Sequence, residues 1–576
     1  MAFRRRSYET IPVLSVRGHE LRRALRTTTA AWMFGIIWLT CIGGSRINVF
    51  GRMVGFTNEH FGWLAAIPFI TKGGQLVATV LIEKTGLRKY QFLYCASIHR
   101  LTWLGVAAVP LIAMIPGVPP LPAPWAVYFV LGLLSLSFFS DALAAPAWLN
   151  WMGDMIPRRI RGRYFANRKR WTESIRMPAV IGLAIYLDWA AVPGAPMTPD
   201  AQPLLFASIC VIFGIAAVLG AVDIWLFIGI REVLPSTRSG PRRPAVNIRV
   251  LSPRQAAGPA PDRAGAVGRF GHYAPAYAFW PARLVGESLR ELMVHPLSDR
   301  TFRRYTTLAA TATFAMTVSG PFFWRHCLEF CNFSQVATDA LFMVIGPLVG
   351  ILAAKYWGSL IDRWGRRPVL MLGSLLTCFS VLPYFLSGPQ TPTPAFLVDA
   401  TNALTQATGR LVGVDDFRPL SYDGPLGAWL IMCCSMILGG IGWGGFHLAQ
   451  NNIILGYVDG PGRSKYIAGH AVLMGLGGFL GGFTGGKVAA LLSEYQLDPV
   501  QVGPFLWNNW HATFALTLLA RWATLLQTIN LPDPGSRRVT DLVRSVRSNM
   551  YNYVRPGFLD PFRRRWLYHG RSDEDR

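Results

Sequence analysis

The sequence predicts an all-α integral membrane protein whose chain crosses the bilayer as twelve helices. Hydrophobic residues make up 52% of its 576 residues and charged residues only 15%, whereas ordinary globular proteins have roughly 25% charged residues. The mean hydropathy is +0.31. Apolar segments of about 20 residues, the length that spans a ~30 Å hydrocarbon core, recur along nearly the whole chain. This composition excludes a disordered chain or a coiled coil and argues against a soluble multidomain enzyme.

Each predicted span is one such apolar segment. The fifth is the least regular, because Glu173, Arg176 and Pro178 crowd its start. The first lacks a small-residue cleavage site, so we expect it to be an anchor and not a signal peptide. The twelve spans are 28–50, 61–82, 91–114, 126–151, 172–190, 204–230, 305–325, 336–361, 369–387, 426–455, 466–492 and 511–530.

The net charge of +25, from 56 Lys and Arg against 31 Asp and Glu, indicates orientation. Most of the basic residues fall in alternate connections, and the opposite connections hold only Arg52, Arg410 and Arg418. Since cytoplasmic loops carry the Lys and Arg excess, both termini and the long middle loop are predicted to be cytoplasmic, as in a multi-pass protein of the inner membrane. A charge spread over so many loops does not indicate a nucleic-acid partner.

A Pro-, Gly- and Arg-rich connection divides the chain into two sets of six spans. Residues 281–295 and 538–550 have apolar stripes at helical spacing, which predicts surface helices in contact with lipid. The predicted organisation is a basic N-terminus, a six-helix bundle, a central loop, a second six-helix bundle and a basic tail: 1–26, 27–232, 233–300, 301–530 and 531–576.

A loop signature occurs once in each half. The eighth span is followed by GSLIDRWGRR at 358–367, and the second by TVLIEKTGLRK at 79–89. Aligning the later glycines pairs Asp362 with Glu83, Arg363 with Lys84, and Arg367 with Arg88. Paired six-span repeats are a transporter architecture with a substrate site between the halves near mid-membrane.

The stretch 358–367 resembles the cytoplasmic loop signature of the major facilitator superfamily, G-x-L-x-D-R-x-G-R-R/K, and the resemblance covers residues 24–530. The first-half copy departs from it at Thr79 and Leu87. The resemblance implies that this loop helps hold an outward-open state and is released during switching. The carboxylate of Asp362 also lies near a helix end, where arginines and a helix N-terminus could bind it. The predicted cytoplasmic gate comprises Gly358, Asp362, Arg363, Gly365, Arg366, Arg367, Glu83, Lys84 and Arg88; the alternative is that the arginines only anchor topology.

Asp141 is the strongest candidate for function, because it lies midway along the fourth span. A charged side chain there costs at least ~2.5–3.5 kcal/mol on insertion scales. The resemblance implies that spans one, four, seven and ten line a central cavity, where such a carboxylate could bind a cation or titrate. The alternative is a structural ion pair with Lys72 or Arg46.

Further polar groups fall on the other spans that the resemblance places around the cavity. Arg46 and Arg325 would favour an anionic group, or lie at the outer interface. The candidates for contact with substrate or coupling ion, besides Asp141, are Arg46, Asn48, Arg325, His447, Gln450 and Asn451. On the scaffold spans, we expect Arg100 to pair with Asp223 or Glu83.

The segment Gly481–Lys487 matches the phosphate-loop pattern G-x4-G-K, but Val488 follows where that motif needs Ser or Thr. Glycines at four-residue spacing on an apolar helix indicate close helix packing in lipid instead. We expect no cofactor, since the cysteines have no metal-ligand spacing. A bridge between Cys327 and Cys331 is conceivable if the helix ends there.

The sequence thus predicts a secondary transporter that moves a small polar or charged solute across the cytoplasmic membrane by alternating access, with protons as the simplest coupling ion. No catalytic arrangement of residues indicates an enzyme. The alternative is a protein of the same fold that no longer transports and acts as an assembly factor, scaffold or receptor. Its protein partner would dock on the central loop or the C-terminal tail.

Overall fold

The structure, a computed structural model, describes residues 18–85, 87–112, 123–230, 297–412, 425–456, 463–494, 500–503 and 505–533. The first half forms α1 Gly18–Ile42, α2 Ser45–Val54, α3 Asn58–Ile70, α4 Gly74–Thr85, α5 Arg88–Ile112, α6 Ala123–Met155, α7 Arg158–Ala190 and α8 Pro203–Trp225, with 3-10 turns at Thr71–Gly73 and Leu226–Gly229.

The second half forms α9 Arg300–Val318, α10 Gly320–Arg325, α11 Gln335–Asp339, α12 Gly346–Trp364, α13 Arg366–Phe379, α14 Leu382–Leu386, α15 Ala395–Val412, α16 Leu426–Gly456, α17 Arg463–Glu494 and α18 Asn509–Ile529. π-helical turns cover His326–Phe330 and Ala340–Ile345. Strands β1 Val500–Val502 and β2 Phe505–Trp507 pair antiparallel, with Val500 opposite Trp507.

Each predicted span coincides with a helix or a broken run of helices. Within the described residues, nine helices are long and apolar enough to cross a membrane. The second, fifth and seventh predicted spans are not among them. The second is interrupted at Thr71–Gly73 and the seventh at Ser319, while α7 begins in a run of basic residues. These three segments are helical, but a break in the helix or a run of charged residues distinguishes them from the nine spanning helices.

The helices pack as two bundles. In the first, α5 packs on α6 and α8, and α1 packs on α7 and α8; in the second, α9 packs on α17 and α18, and α13 on α16 and α18. Apolar side chains fill both interiors, with Phe50, Phe213 and Trp103 in the first bundle and Tyr305 and Phe446 in the second.

Helix α17 joins the bundles through its glycines, so the predicted packing role of this segment is confirmed. It contacts α9 of its own half and α3 of the other. A Cβ at Gly482 would lie 2.7 Å from the backbone nitrogen of Ala66, and one at Gly486 would lie 2.8 Å from the Cα of Gly62. These distances are shorter than any real Cβ contact, so only glycine permits this approach.

Two features differ from expectation. Helix α15 and the β1–β2 hairpin lie in connections where we predicted no element; α15 is too polar to span but contains enough Ala and Leu to form a helix. The suggested bridge between Cys327 and Cys331 is wrong, because both are free thiols. The helix does not end at Cys327 but continues as a π turn to Phe330. The predicted surface helices at 281–295 and 538–550 lie outside the described residues.

Candidate functional site

The described residues of the two halves meet mainly at one end of the bundles. We call the end at which α1 begins and α18 finishes the terminal end, and the opposite end the distal end. Among the side chains that the structure describes, polar contacts between the halves run from the distal end to about mid-depth. The deepest is a hydrogen bond from Arg176 Nη1 to the Met343 carbonyl oxygen at 3.1 Å.

The most buried of these contacts is an ion pair between the first and eighth spans. Arg46 Nη1 lies 2.6 Å from Asp339 Oδ2, and both side chains are 0% exposed. The Ser45 N–H donates to Asp339 Oδ1 at 3.1 Å, and the Ser45 hydroxyl donates to Gln335 Oε1 at 3.2 Å. The pair forms because the first span breaks at Gly44, whose φ is +72°, so that α2 starts in a new direction. Asn48 braces this break by donating to the Gly44 carbonyl oxygen at 2.9 Å.

Arg325, at the end of α10, makes the corresponding contact from the seventh span to the second. It donates to both carboxylate oxygens of Glu329, at 2.7 and 2.9 Å, and to Asn58 Oδ1 at 2.5 Å. Its guanidinium lies 4.6 Å from the ring centroids of Phe61 and Trp510. In each half, therefore, an arginine of the first span contacts the second span of the other half, as pseudo-twofold symmetry requires.

Two further contacts between the halves lie at the distal end. Asp188, at the end of α7, accepts from the backbone N–H groups of Gln335 at 2.7 Å and Val336 at 2.9 Å. Its carboxylate thus caps the N-terminus of α11 in the other half, where the helix dipole favours negative charge. Lys487 Nζ lies 2.7 Å from Glu59 Oε1 in a partly exposed pair.

Asp141 lies on the side of α6 that is otherwise buried. Its side chain is 55% exposed, while Leu134 and Ser137 on the same side are 0% exposed. The exposed apolar residues Leu136 and Phe139 lie about 140° and 160° away around the helix, at about 100° per residue. The exposed carboxylate therefore points away from the apolar face and into an internal opening. It pairs with neither Lys72 nor Arg46; its Oδ1 lies 3.8 Å from His99 Nε2.

The candidate polar residues of α16, in the second half, lie within about one helical turn of each other. His447 and Asn451 are exposed and Gln450 is buried, with His447 Nδ1 3.3 Å from Gln450 Oε1. Tyr305 donates to the Gln450 carbonyl oxygen at 2.8 Å, and its ring stacks on that of His470 at 5.2 Å.

Lys72 of the first half lies near α17, the helix that carries His470. It lies on the 3-10 turn between α3 and α4, and a Cβ at Gly475 of α17 would lie 3.6 Å from its Cβ. Sequence reasoning had given Lys72 only as an ion-pair partner and had missed Tyr305 and His470. The interrupted second span was the available signal for Lys72, since breaks in spanning helices mark binding sites in transporters.

Residues 27–413 match the Major Facilitator Superfamily. The chain belongs to this superfamily. The facilitator also resembles solved transporters in fold. The crystal structure of the nucleoside transporter NupG is 11% identical, with a TM-score of 0.52, covering 89% of this chain and 98% of that one. The inward open conformation of the xylose transporter XylE from E. coli is 14% identical, with a TM-score of 0.51, covering 91% and 99%. A POT family transporter in complex with a thioalcohol-conjugated peptide is 10% identical, with a TM-score of 0.53, covering 89% and 97%. No curated protein matches the sequence.

The facilitator loop signature contacts its own half. Arg366 Nη2 lies 3.3 Å from Asp533 Oδ1, and Arg366 Nη1 donates to the Asn452 carbonyl oxygen at 3.0 Å. Asp533 Oδ2 accepts from the backbone N–H groups of Arg366 and Arg367 at 3.1 and 3.2 Å, and Arg367 also donates to the Ile529 carbonyl oxygen. The carboxylate at the N-terminus of α13 is therefore Asp533, and not Asp362 as its position in the signature had suggested.

The remaining signature residues lie as follows. Gly365 has a φ of +90° and makes the turn between α12 and α13. Asp362 and Arg363 are exposed, Gly358 lies on α12, and Arg88 is buried in the first half. The side chains of Glu83 and Lys84 lie outside the described part of the chain.

Two buried arginines of the facilitator stabilise single bundles. Arg100 Nη2 lies 3.2 Å from Asp223 Oδ2, which confirms the first of its two predicted partners. Arg521, which sequence reasoning could not place, donates to the Thr377 carbonyl oxygen at 2.5 Å and to Ser380 Oγ at 2.9 Å. Its guanidinium lies 5.3 Å from the Trp443 ring.

Proposed function

We propose that this facilitator moves a small polar or charged solute across the cytoplasmic membrane by alternating access. The observation that carries the proposal is the exposure of Asp141 on an otherwise buried helix side, while the halves are joined from the distal end to mid-depth. A carboxylate that is exposed to water at mid-membrane requires an opening from the end opposite to the distal contacts. In this arrangement the opening faces the terminal end, which the distribution of Lys and Arg predicts to be cytoplasmic.

The solute site that this proposal implies lies between the halves. Asp141 and Lys72 come from the first half, and His447 and Asn451 from the second. A carboxylate, an ammonium group, an imidazole and an amide can together bind a solute that has both donors and acceptors. Solved facilitators of similar fold are a nucleoside, a xylose and a peptide transporter, and a polar solute of comparable size suits these side chains.

The two gates would act in alternation. At the distal end, the ion pairs Arg46–Asp339 and Arg52–Glu329 and the hydrogen bond from Arg325 to Asn58 hold the halves together and would part in the opposite state. At the terminal end, the loop at 358–367 would leave Asp533 and contact the first half. Each gate exchanges ion pairs within a half for ion pairs between halves, so the two states can be close in free energy.

The position of Asp141 supports coupling to protons. When protonated, the carboxyl group is neutral, so the opening around it can close during the transport cycle without the cost of burying a charge. When ionised, it can bind a cation or a donor group of the solute. Protons are thus the simplest driving ion.

The test begins with a thermal-shift screen of purified protein against metabolites, since a ligand at 100 times its Kd stabilises the folded state by about 2.7 kcal/mol. Uptake of the ligand found is then measured in proteoliposomes with and without a pH gradient. Asp141→Asn should abolish the dependence on the gradient, whereas Asp200→Asn, on an exposed loop, should keep it. Unchanged coupling in Asp141→Asn would remove this residue from the mechanism.

A non-transporting scaffold is the second candidate. The observation that favours it is the departure of the first-half loop from the family signature at Thr79 and Leu87, which weakens one side of the terminal gate. A scaffold would co-purify with a stable protein partner and show no thermal stabilisation by any small molecule.

A further inference from the structure

His99 lies beside Asp141 and is held in one tautomer by its contacts. Its Nδ1 lies 2.9 Å from the Ser137 carbonyl oxygen and 2.8 Å from Ser137 Oγ. The Ser137 hydroxyl donates its single proton to the His99 carbonyl oxygen at 2.9 Å. Both oxygens facing Nδ1 are therefore acceptors, so Nδ1 must carry a proton.

The lone pair of neutral His99 is consequently on Nε2, the nitrogen that faces Asp141. At 3.8 Å, Nε2 and an ionised Asp141 would present two acceptors to each other with no proton between them. A hydrogen bond forms if Asp141 is protonated and moves about 1 Å closer. The exposed side of Asp141 provides the room for this movement, whereas the imidazole is fixed by Ser137 and by the edge of Trp38, 5.0 Å away.

The charged groups around the pair disfavour the opposite arrangement, with the proton on His99. Arg100 follows His99 on α5, and its guanidinium lies 3.5 Å from the Trp38 ring centroid, the same ring that His99 contacts. Asp223 of α8 binds Arg100 and so stabilises its positive charge. Arg168 of α7 lies farther out, against Trp32 and Trp148. An imidazolium at position 99 would thus lie next to the permanent cation of Arg100.

We propose that Asp141 and His99 form one proton-binding site, in which His99 Nε2 accepts the hydrogen bond of protonated Asp141. A proton from water in the opening adds to the carboxylate, and the O–H group turns towards the imidazole. When the proton returns to water, the carboxylate turns back to the opening and becomes available to the solute. His99 is a positioning residue that favours the protonated state. This inference rests on the proposed transport function only for the role of the site in transport; the proton-binding site itself does not depend on it.

The experiment is an infrared pH titration of the detergent-solubilised full chain. The carbonyl stretch of protonated Asp141 is identified as the band that disappears in Asp141→Asn. In His99→Gln the proton affinity measured by this band should fall about tenfold, because the amide cannot reproduce the fixed acceptor. The matched control is His19→Gln, an exposed histidine at the start of α1, which should leave the titration unchanged.

Nitrogen-15 NMR of His99, assigned by its loss in the His99→Gln variant, gives a second measurement. The shifts should show a proton on Nδ1 and none on Nε2. If His99→Gln does not fold, Ser137→Ala keeps the proposal testable, since losing the anchor should lower the proton affinity of Asp141 in the same direction. An unchanged Asp141 titration in these variants, or a proton on His99 Nε2, would overturn the proposal. Neither measurement needs transport, so a pair that titrates as expected without gradient-driven uptake would refute the coupling and leave the pair standing.

Discussion

Removing the charge of Asp339 should open the distal end of the bundles. Asp339→Asn leaves the Arg46 guanidinium fully buried without a counterion, and its Nε and Nη2 have no hydrogen-bond partner among the described residues. Breaking a buried pair from one side costs about 3–5 kcal/mol. Separation of the halves would hydrate Arg46, so this cost applies to the closed distal end and not to an open one.

The size of the shift follows from that cost. Each 1.4 kcal/mol changes an equilibrium about tenfold, so the ratio of closed to open distal ends should fall by at least about 100-fold. The double variant Arg46→Gln with Asp339→Asn removes both charges and should restore much of the closed population, because no uncompensated charge remains.

The assay is the rate at which a membrane-impermeant maleimide labels a new cysteine at Thr338, a fully buried residue of α11. The variants are made in a chain with Cys434→Ser, since Cys434 is the exposed native thiol among the described residues. Labelling should accelerate in Asp339→Asn and slow again in the double variant. A cysteine at Thr313, buried within the second bundle, should stay unreactive throughout.

Two outcomes would refute this reasoning. An unchanged labelling rate at Thr338 would show that the ion pair does not hold the distal end closed. Equal acceleration at Thr313 would show general unfolding and not the opening of a gate.

Two other substitutions test the packing and the terminal gate. Gly482→Ala should destabilise the protein by about 1–3 kcal/mol, because its Cβ meets the Ala66 backbone; Gly214→Ala, which has no atom within 4 Å of the new Cβ, should be neutral or stabilising in the same thermal denaturation. Asp533→Asn should lower the melting temperature by removing the charge that caps α13 and pairs with an arginine, an effect of about 1–2 kcal/mol. The exposed Asp362→Asn should have little effect in the same measurement, and the reverse order would show that the signature carboxylate matters more in this state.

The spanning helices could be predicted from the sequence because a bilayer imposes one length and one composition on every span. The resemblance at 358–367 was sufficient to predict the family. The breaks at Gly44 and Thr71 were not predicted, although each coincides with a short Gly-containing polar segment, GGSR at 43–46 and TKGGQ at 71–75, because the mean hydropathy of the whole span stays high. Helix α15 was missed for the opposite reason, since it is too polar to appear in a search for spans.

Single candidate residues for the site could be predicted from the sequence, but their arrangement could not. Asp141 stands out because a lone carboxylate is costly in a span, and that signal is local. The partner of Arg46 lies 293 positions away in the chain, and Asp339 was not distinguished from other acidic residues near span ends. The role of His99 could not be predicted from the sequence, because it depends on the direction of a serine hydroxyl on another helix.

Alternating access is tested most directly by two distances measured in one protein by spin labelling. Labels at Val192 and Val500 report on the distal end, and labels at Arg22 and Arg304 on the terminal end; all four residues are exposed. The comparison is between the parent chain, Asp339→Asn, and the parent with the ligand from the thermal-shift screen. The account predicts opposite changes: as the distal distance lengthens, the terminal distance shortens. A single unchanging distance at both ends, or two distances that lengthen together, would contradict it.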